Sequence, residues 1–154
     1  MLARIAESAD VFLVPVIHIS TDYVFDGSKE EPYSEDDEVN PLSVYGRTKQ
    51  AGEAAVRASN PQHAIIRTAW VISAARRNFL DTMLRLGAER PTVRVVDDQR
   101  GNPTYAPHLA DAILAIAAQI GSANHWGTYH AAATGETTWH GFARRPIRGV
   151  RTTS

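Results

Sequence analysis

Val16-Ile17-His18-Ile19-Ser20, then Thr21-Asp22-Tyr23, and further on Tyr45-Gly46-Arg47-Thr48-Lys49 decide how this chain is read. The first stretch is apolar and lacks polar alternation, which predicts a strand covered on both faces, as in a parallel sheet. Pro15 precedes it, and proline donates nothing to a ladder, so the ordered central strand is expected over Val16 to Ser20. His18 lies inside that run and reads as a packed histidine rather than a ligand. Asn40-Pro41 predicts a helix start, with Asn as N-cap and Pro at the first helical position. That helix runs to about Ser59. Tyr45 and Lys49 are four apart on it and share a face, with Cβ atoms roughly 5–6 Å apart. A phenol beside an ammonium can move a proton. A cation within about 4–6 Å favours phenolate and lowers the phenol pKa. A tyrosine tuned in that way acts as general acid or base near neutral pH. Thr21 adds a hydroxyl at the end of the preceding strand. Tyr-x-x-x-Lys is a weak pattern alone, and its weight comes from the surrounding sequence.

Composition narrows the classes. The 154 residues suit one ordinary domain, and 44% are apolar, enough for a core. The formal net charge of −1 implies no general attraction to nucleic acid or to an anionic membrane. The chain has no cysteine, which excludes disulfides and thiolate metal sites. No apolar run approaches the roughly 20 residues that span a bilayer. The first ten residues carry acids where a signal peptide would be apolar, so a cytoplasmic protein is expected.

The rest of the chain alternates strand and helix. Residues 2–9 read as a helix end. Asp22 to Asn40 reads as a loop, with Asp26-Gly27 as a turn. Its glutamates and aspartates could form a cation site, but without fixed metal spacing a solvated surface is favoured and no metal is assigned. His63 to Thr68 reads as a second buried strand. Asn78 to Arg90 is an amphipathic helix ended by Pro91. Thr92 to Val96 is a short strand, 97–104 a loop and Ala106 to Ile120 a helix. Trp126 to Ala133 suits another strand, and Thr137 suits the cap of a helix over Thr138 to Ala143. The ending, 144–154, has four arginines and no acid. It reads as a disordered tail rather than a nucleic-acid arm. The alternation predicts an α/β fold with a mostly parallel sheet.

Several pieces occur together in one order. They are Ser20-Thr21-Asp22-Tyr23-Val24-Phe25-Asp26-Gly27, Tyr45-Gly46-Arg47-Thr48-Lys49, Gly52-Glu53, Arg67-Thr68-Ala69-Trp70, Asn78-Phe79 and Asp98-Gln99-Arg100-Gly101-Asn102-Pro103-Thr104. In that order and spacing the chain resembles the dTDP-4-dehydrorhamnose reductases, extended short-chain dehydrogenases/reductases, over roughly residues 12–143. The resemblance implies a partial Rossmann-like parallel sheet with helices on both faces and a small C-terminal substrate-binding portion. Residues 1–75 would be the later part of the dinucleotide-binding domain, 76–143 the sugar-nucleotide portion and 144–154 the tail. It implies reduction of the C4 ketone of dTDP-6-deoxy-L-lyxo-4-hexulose to dTDP-L-rhamnose with NADPH (or NADH). Tyr45 would protonate the ketone oxygen. Lys49 would tune Tyr45 and bind the nicotinamide ribose, so Tyr45 and Lys49 are also the cofactor contacts. Thr21 would donate to the same oxygen. Asp22, Tyr23 and Trp70 match positions for the substrate, although Trp70 reads equally well as a core aromatic. The implied partner is a dTDP-sugar, and a homodimer is allowed.

The resemblance also has gaps. No glycine-rich phosphate turn is present, and the first glycine, Gly27, follows the candidate catalytic strand. The expectation is a truncated chain, impaired alone, with an exposed sheet edge and weak NADPH binding. A non-catalytic sugar-nucleotide-binding or regulatory fragment of the same family is the alternative.

Overall fold

Val16–Thr21 forms β1 and His63–Thr68 forms β2, and the two pair in parallel with Ile17 opposite Ala64 and Thr21 opposite Thr68. The computed structural model describes residues 1–11, 14–123, 125–145 and 151–153. Its remaining elements are α1 (Leu2–Val11), α2 (Val44–Ser59), β3 (Val71–Ile72), α3 (Phe79–Glu89), β4 (Thr92–Arg94), β5 (Arg100–Gly101), β6 (Thr104–Tyr105), α4 (Ala106–Ala123), β7 (Gly127–His130), β8 (Thr137–Thr138), α5 (Trp139–Arg144) and β9 (Arg151–Thr153). No helix among the described residues is long and apolar enough to cross a membrane.

The chain divides into two units. The first is Met1–Thr68 with Asp111–Ala131, and the second is Ala69–Ala110 with Ala132–Ser154. These units are discontinuous in sequence, whereas the sequence suggested boundaries near residues 75 and 143. The physical reason is β7, which returns to pair in parallel with β2, Ala64 opposite Gly127. A parallel neighbour needs a long crossover, so the chain leaves the first unit before completing its sheet.

In the first unit the sheet order is β1-β2-β7. The strands are parallel and accompanied by helices, as the α/β reading predicted. The central strand is β2, not Val16–Ser20, and Ala64, Ile65 and Ile66 are fully buried on it. Among the described strands, β1 lies at the edge. α1 packs on α2, and Ala6, Val56 and Ile65 form a core with Val16 against them. Asn60 closes this end: its Nδ2 donates to Ala6 O (3.4 Å) and Val14 O (3.2 Å).

The start of α2 differs from expectation. Ser43, not Asn40, is the N-cap, and its Oγ accepts from Gly46 N at 2.9 Å. Asn40 is used elsewhere: its Nδ2 donates to Asp26 Oδ2 at 3.0 Å. The chain from Asp26 to Asn40 is a braced loop. The Asp26 carboxylate also accepts from Ser28 and from the Tyr33 hydroxyl, and Lys29 pairs with Asp37 at 2.7 Å.

The second unit is built from short pairs: β3 with β6, β4 with β9 and β5 with β8. Met83, Val93, Val95 and Ala143 form its core, with Phe79, Leu86 and Trp139 packed on them. Asn78 caps α3 by accepting from Asp81 N (3.3 Å). Thr138, rather than Thr137, caps α5 by accepting from Gly141 N (2.9 Å). Within the stretch expected as a tail, Arg151–Thr153 pairs in parallel with β4. Residues 146–150 and 154 lie outside the described residues.

Candidate functional site

β1 ends on Thr21, a buried residue that also caps a short 3-10 helix, Asp22–Val24. Its hydroxyl donates to Asp22 Oδ1 at 2.9 Å and accepts from Tyr23 N at 3.3 Å. Burial pushes the Asp22 carboxyl above its usual range, against the lowering effect of the Thr21 bond. Tyr23 follows on the rim, half-exposed. Its phenol is pushed up by burial, then by the Asp22 charge and by Tyr45.

α2 brings the other half of the constellation. Tyr45 stands in its first turn, 54% exposed, with its ring edge-on to Tyr23 at 6.0 Å. Lys49 lies one turn on, and its Nζ donates to the Ile19 carbonyl at 2.5 Å, just before the end of β1. Gly46 permits this closeness. It is buried against the Tyr23 carbonyl, where a side chain would collide. Thr21, Tyr45 and Lys49 are therefore gathered around the last residues of β1, with Asp22 and Tyr23 beside them. In open parallel sheets, ligands bind beyond the carboxyl ends of the strands, and this cluster sits at such an end.

Trp70 belongs to the second unit and has a left-handed backbone (φ 44°), rare for a bulky residue. Its ring stacks on Trp139 with centroids 3.5 Å apart, and Gly101 lies close against it. Only 9% of Trp70 is exposed, so its faces serve packing and only its rim is left for a ligand. The same unit has a cleft of about 310 Å³ lined by Phe79, Met83, Arg94, Val95, Val96, Gln99 and Trp139. Of its lining residues, Phe79 and Gln99 fall in the motifs quoted from the sequence.

Glu53 and Arg67 were also missed. Glu53 is fully buried on α2, and its two oxygens accept from Arg67 Nε (3.0 Å) and Nη2 (2.8 Å) of β2. Arg57 Nη2 adds a third bond at 2.9 Å. Burial pushes the Glu53 carboxyl up, but the bonds and charge of Arg67, with Arg57, outweigh it and hold it below its usual range.

No group of three or more metal-ligating side chains occurs among the described residues. His18 is buried, with Nε2 against Gly52 and no hydrogen-bond partner on that nitrogen. Desolvation and then the Lys49 charge hold His18 below its usual value. A dinucleotide would meet an open phenol and an ammonium at one end of this site. Of the first unit's glycines, Gly46 and Gly52 are packed against other side chains and backbone, whereas Gly27 and Gly127 have positive φ (77° and 147°) and open space where a Cβ would stand.

The RmlD substrate binding domain family model matches residues 1–154. The dTDP-4-dehydrorhamnose reductase of Sinorhizobium fredii is 47% identical over 143 residues, which is 91% of this chain and 48% of that protein. The Salmonella typhimurium protein of the same name is 46% identical over 140 residues, 90% of this chain and 47% of its own length. The crystal structure of a Clostridium acetobutylicum dTDP-4-dehydrorhamnose reductase aligns with a TM-score of 0.92 at 39% identity, over 99% of this chain and 54% of that one. The Bacillus anthracis reductase in complex with NADP aligns at 0.90 with 34% identity, over 98% and 54%. The chain spans about half the length of the curated relatives it matches. It belongs to the RmlD substrate-binding domain family, among relatives named dTDP-4-dehydrorhamnose reductase.

Proposed function

We propose that this chain carries the proton-donating and sugar-nucleotide-binding part of a dTDP-4-dehydrorhamnose reductase. Its reaction is reduction of the C4 ketone of dTDP-6-deoxy-L-lyxo-4-hexulose to dTDP-L-rhamnose. The observation that carries the proposal is the exposed Tyr45 phenol, standing one helical turn from an ammonium that is tied to the strand ending in Thr21. Hydride would come from NADPH when bound, a choice supported by the NADP complex of the Bacillus anthracis relative.

The chain's own groups do the rest. As hydride reaches the carbonyl carbon, its oxygen gains negative charge. Tyr45 gives that oxygen a proton. Thr21 turns its hydroxyl from Asp22 and donates a hydrogen bond to the same oxygen. Donors aimed at charge that develops only in the transition state raise the rate rather than merely the affinity. Lys49, held by the Ile19 carbonyl, keeps positive charge beside Tyr45 and offers its remaining protons to the nicotinamide ribose. Asp22 and Tyr23 contact the sugar. In the second unit Trp70 is the proposed nucleotide contact through its exposed rim, and the cleft bounded by Phe79 and Trp139 has the Arg94 guanidinium and the Gln99 amide in its lining. Because the sequence holds no G-x-G-x-x-G turn, cofactor affinity of this chain is expected to be weak. Micromolar NADPH binding by this chain refutes that point.

The test is NADPH oxidation at saturating cofactor with the keto-sugar nucleotide, comparing the chain with Tyr45→Phe. Loss of a general acid costs about 10²–10⁴ in rate. Turnover that survives Tyr45→Phe overturns the assignment. Saturable dTDP-sugar binding without any turnover leaves the non-catalytic reading.

A further inference from the structure

Tyr45, Lys49 and Glu53 recur at intervals of four on α2 and so form one line down the helix. Each of the last two is tied to the sheet. Lys49 Nζ bonds the Ile19 carbonyl of β1, and Glu53 takes both prongs of Arg67 from β2. Glu53 is about 12 Å along the axis from Tyr45 at 1.5 Å per residue. One anchor would let the helix roll about it. Two anchors on different strands, one of them a planar two-pronged bond, fix both roll and axial slide. Arg67 is itself held. Its guanidinium lies 5.1 Å from the centre of the Phe25 ring, its Nη1 donates to Glu35 O at 3.4 Å, and its backbone is laddered between Ser20 and His130.

Stability alone gives little reason for such a pair. A buried ion pair is often matched or bettered by apolar residues of similar volume, because taking two charges out of water cancels much of their attraction. What the pair supplies beyond energy is geometry. We infer that Glu53 and Arg67 are positioning residues for Tyr45: their two-pronged bond sets the seat of α2 so that the phenol stands at the end of β1 beside Tyr23. This rests on the functional reading above only for its kinetic consequence; the placement of the ring is independent of it.

Two measurements separate those parts. The double variant Glu53→Leu/Arg67→Met removes the fork and leaves no charge buried, since the partly exposed Arg57 keeps Thr128 and solvent, and Arg67→Lys keeps the charge while losing the planar fork. The first readout is NMR of the chain labelled with [ring-13C]tyrosine, with Tyr45→Phe supplying the assignment. In the wild type, with the rings edge-on at 6.0 Å, a cross-relaxation peak between Tyr23 and Tyr45 is expected. In the double variant it is expected to be lost and the Tyr45 ring signals to move, while those of Tyr105 in the second unit stay in place. Arg67→Lys is expected to move the same signals less. The second readout is turnover: kcat falls by about tenfold to a hundredfold with KM within twofold, the pattern of a misplaced catalytic group. If the double variant does not fold, Arg67→Lys carries both readouts. Retention of the Tyr23–Tyr45 peak in a folded variant overturns the inference, as does wild-type kcat in an active one. If the wild type shows no Tyr45-dependent turnover, the functional reading falls, and the ring peak alone still decides whether the pair positions Tyr45.

Discussion

Gly46→Ala offers the sharpest test of how α2 is seated. In a free helix the change should help, since alanine exceeds glycine in helix propensity by about 1 kcal/mol. Here the new methyl would lie 2.8 Å from Pro41 Cβ and nearer still to the Tyr23 carbonyl oxygen. Ordinary contact begins near 3.4 Å, so the first turn of α2 must lift by more than about 0.6 Å. The opposing atoms are a proline ring and backbone, with no flexible end to swing away. Overpacking of this kind costs about 1–3 kcal/mol, which outweighs the propensity gain in most of its range. The lift falls on the residue next to Tyr45, and a displacement near 1 Å at a reacting group costs about 10²-fold in rate. The expected result is a melting temperature lowered by about 2–4 °C per kcal/mol lost, by circular dichroism, with Tyr45-dependent turnover down by tenfold or more. A Gly46→Ala protein that melts at or above the wild type and turns over at the same rate refutes the close seating of α2 on Tyr23.

Other outcomes follow from the same contacts. Arg67→Ala strands the Glu53 carboxylate inside the first unit and should cost about 3–5 kcal/mol in urea unfolding, nearer the lower figure because Arg57 remains. Asp22→Asn should stabilise the chain at neutral pH. Burial raises the Asp22 pKa in the folded state, so the ionised carboxylate opposes folding at pH 7, and that cost vanishes as pH falls below the ordinary carboxylate value of about 3.8. Melting curves of wild type and variant should therefore converge in acid; a constant difference across pH contradicts the sign. Asp26→Ala removes four hydrogen bonds from the 26–40 loop and should speed its cleavage by trypsin at Lys29, read by mass spectrometry, with α2 left intact.

Much of the fold was legible because it is written locally. Apolar runs without alternation marked β1 and β2, and Asn78 and Pro91 bracketed α3. What escaped depends on pairs far apart in the chain. Asn40 and Ser43 are both good caps, and sequence alone favoured Asn40-Pro41. The choice is made by Asp26, fourteen residues away, which takes the Asn40 amide and leaves Ser43 to meet Gly46 N. The two-residue strands β3, β5, β6 and β8 have no period to read, and they exist only through their partners. The return of β7 to β2 likewise left no local mark.

For the candidate site the division is similar, with one instructive exception. Tyr45 and Lys49 were visible because a helix turns an interval of four into a shared face. The tie from Lys49 to Ile19 crosses thirty residues and was not visible. Glu53 was visible only as part of the Gly52-Glu53 motif, without a role. Arg67, however, sits inside the apolar run His63 to Thr68, and an arginine that is only 4% exposed must be paired to offset its desolvation. The helix crossing from β1 to β2 had to present an acid to that strand. On α2 only Glu53 qualifies, since it is the sole carboxylate between Val44 and Ser59. A charge inside a buried strand thus identifies its partner by elimination. The pair it identifies shares a line with Tyr45 and Lys49, so the same reasoning connects the core of the first unit to the phenol at its edge.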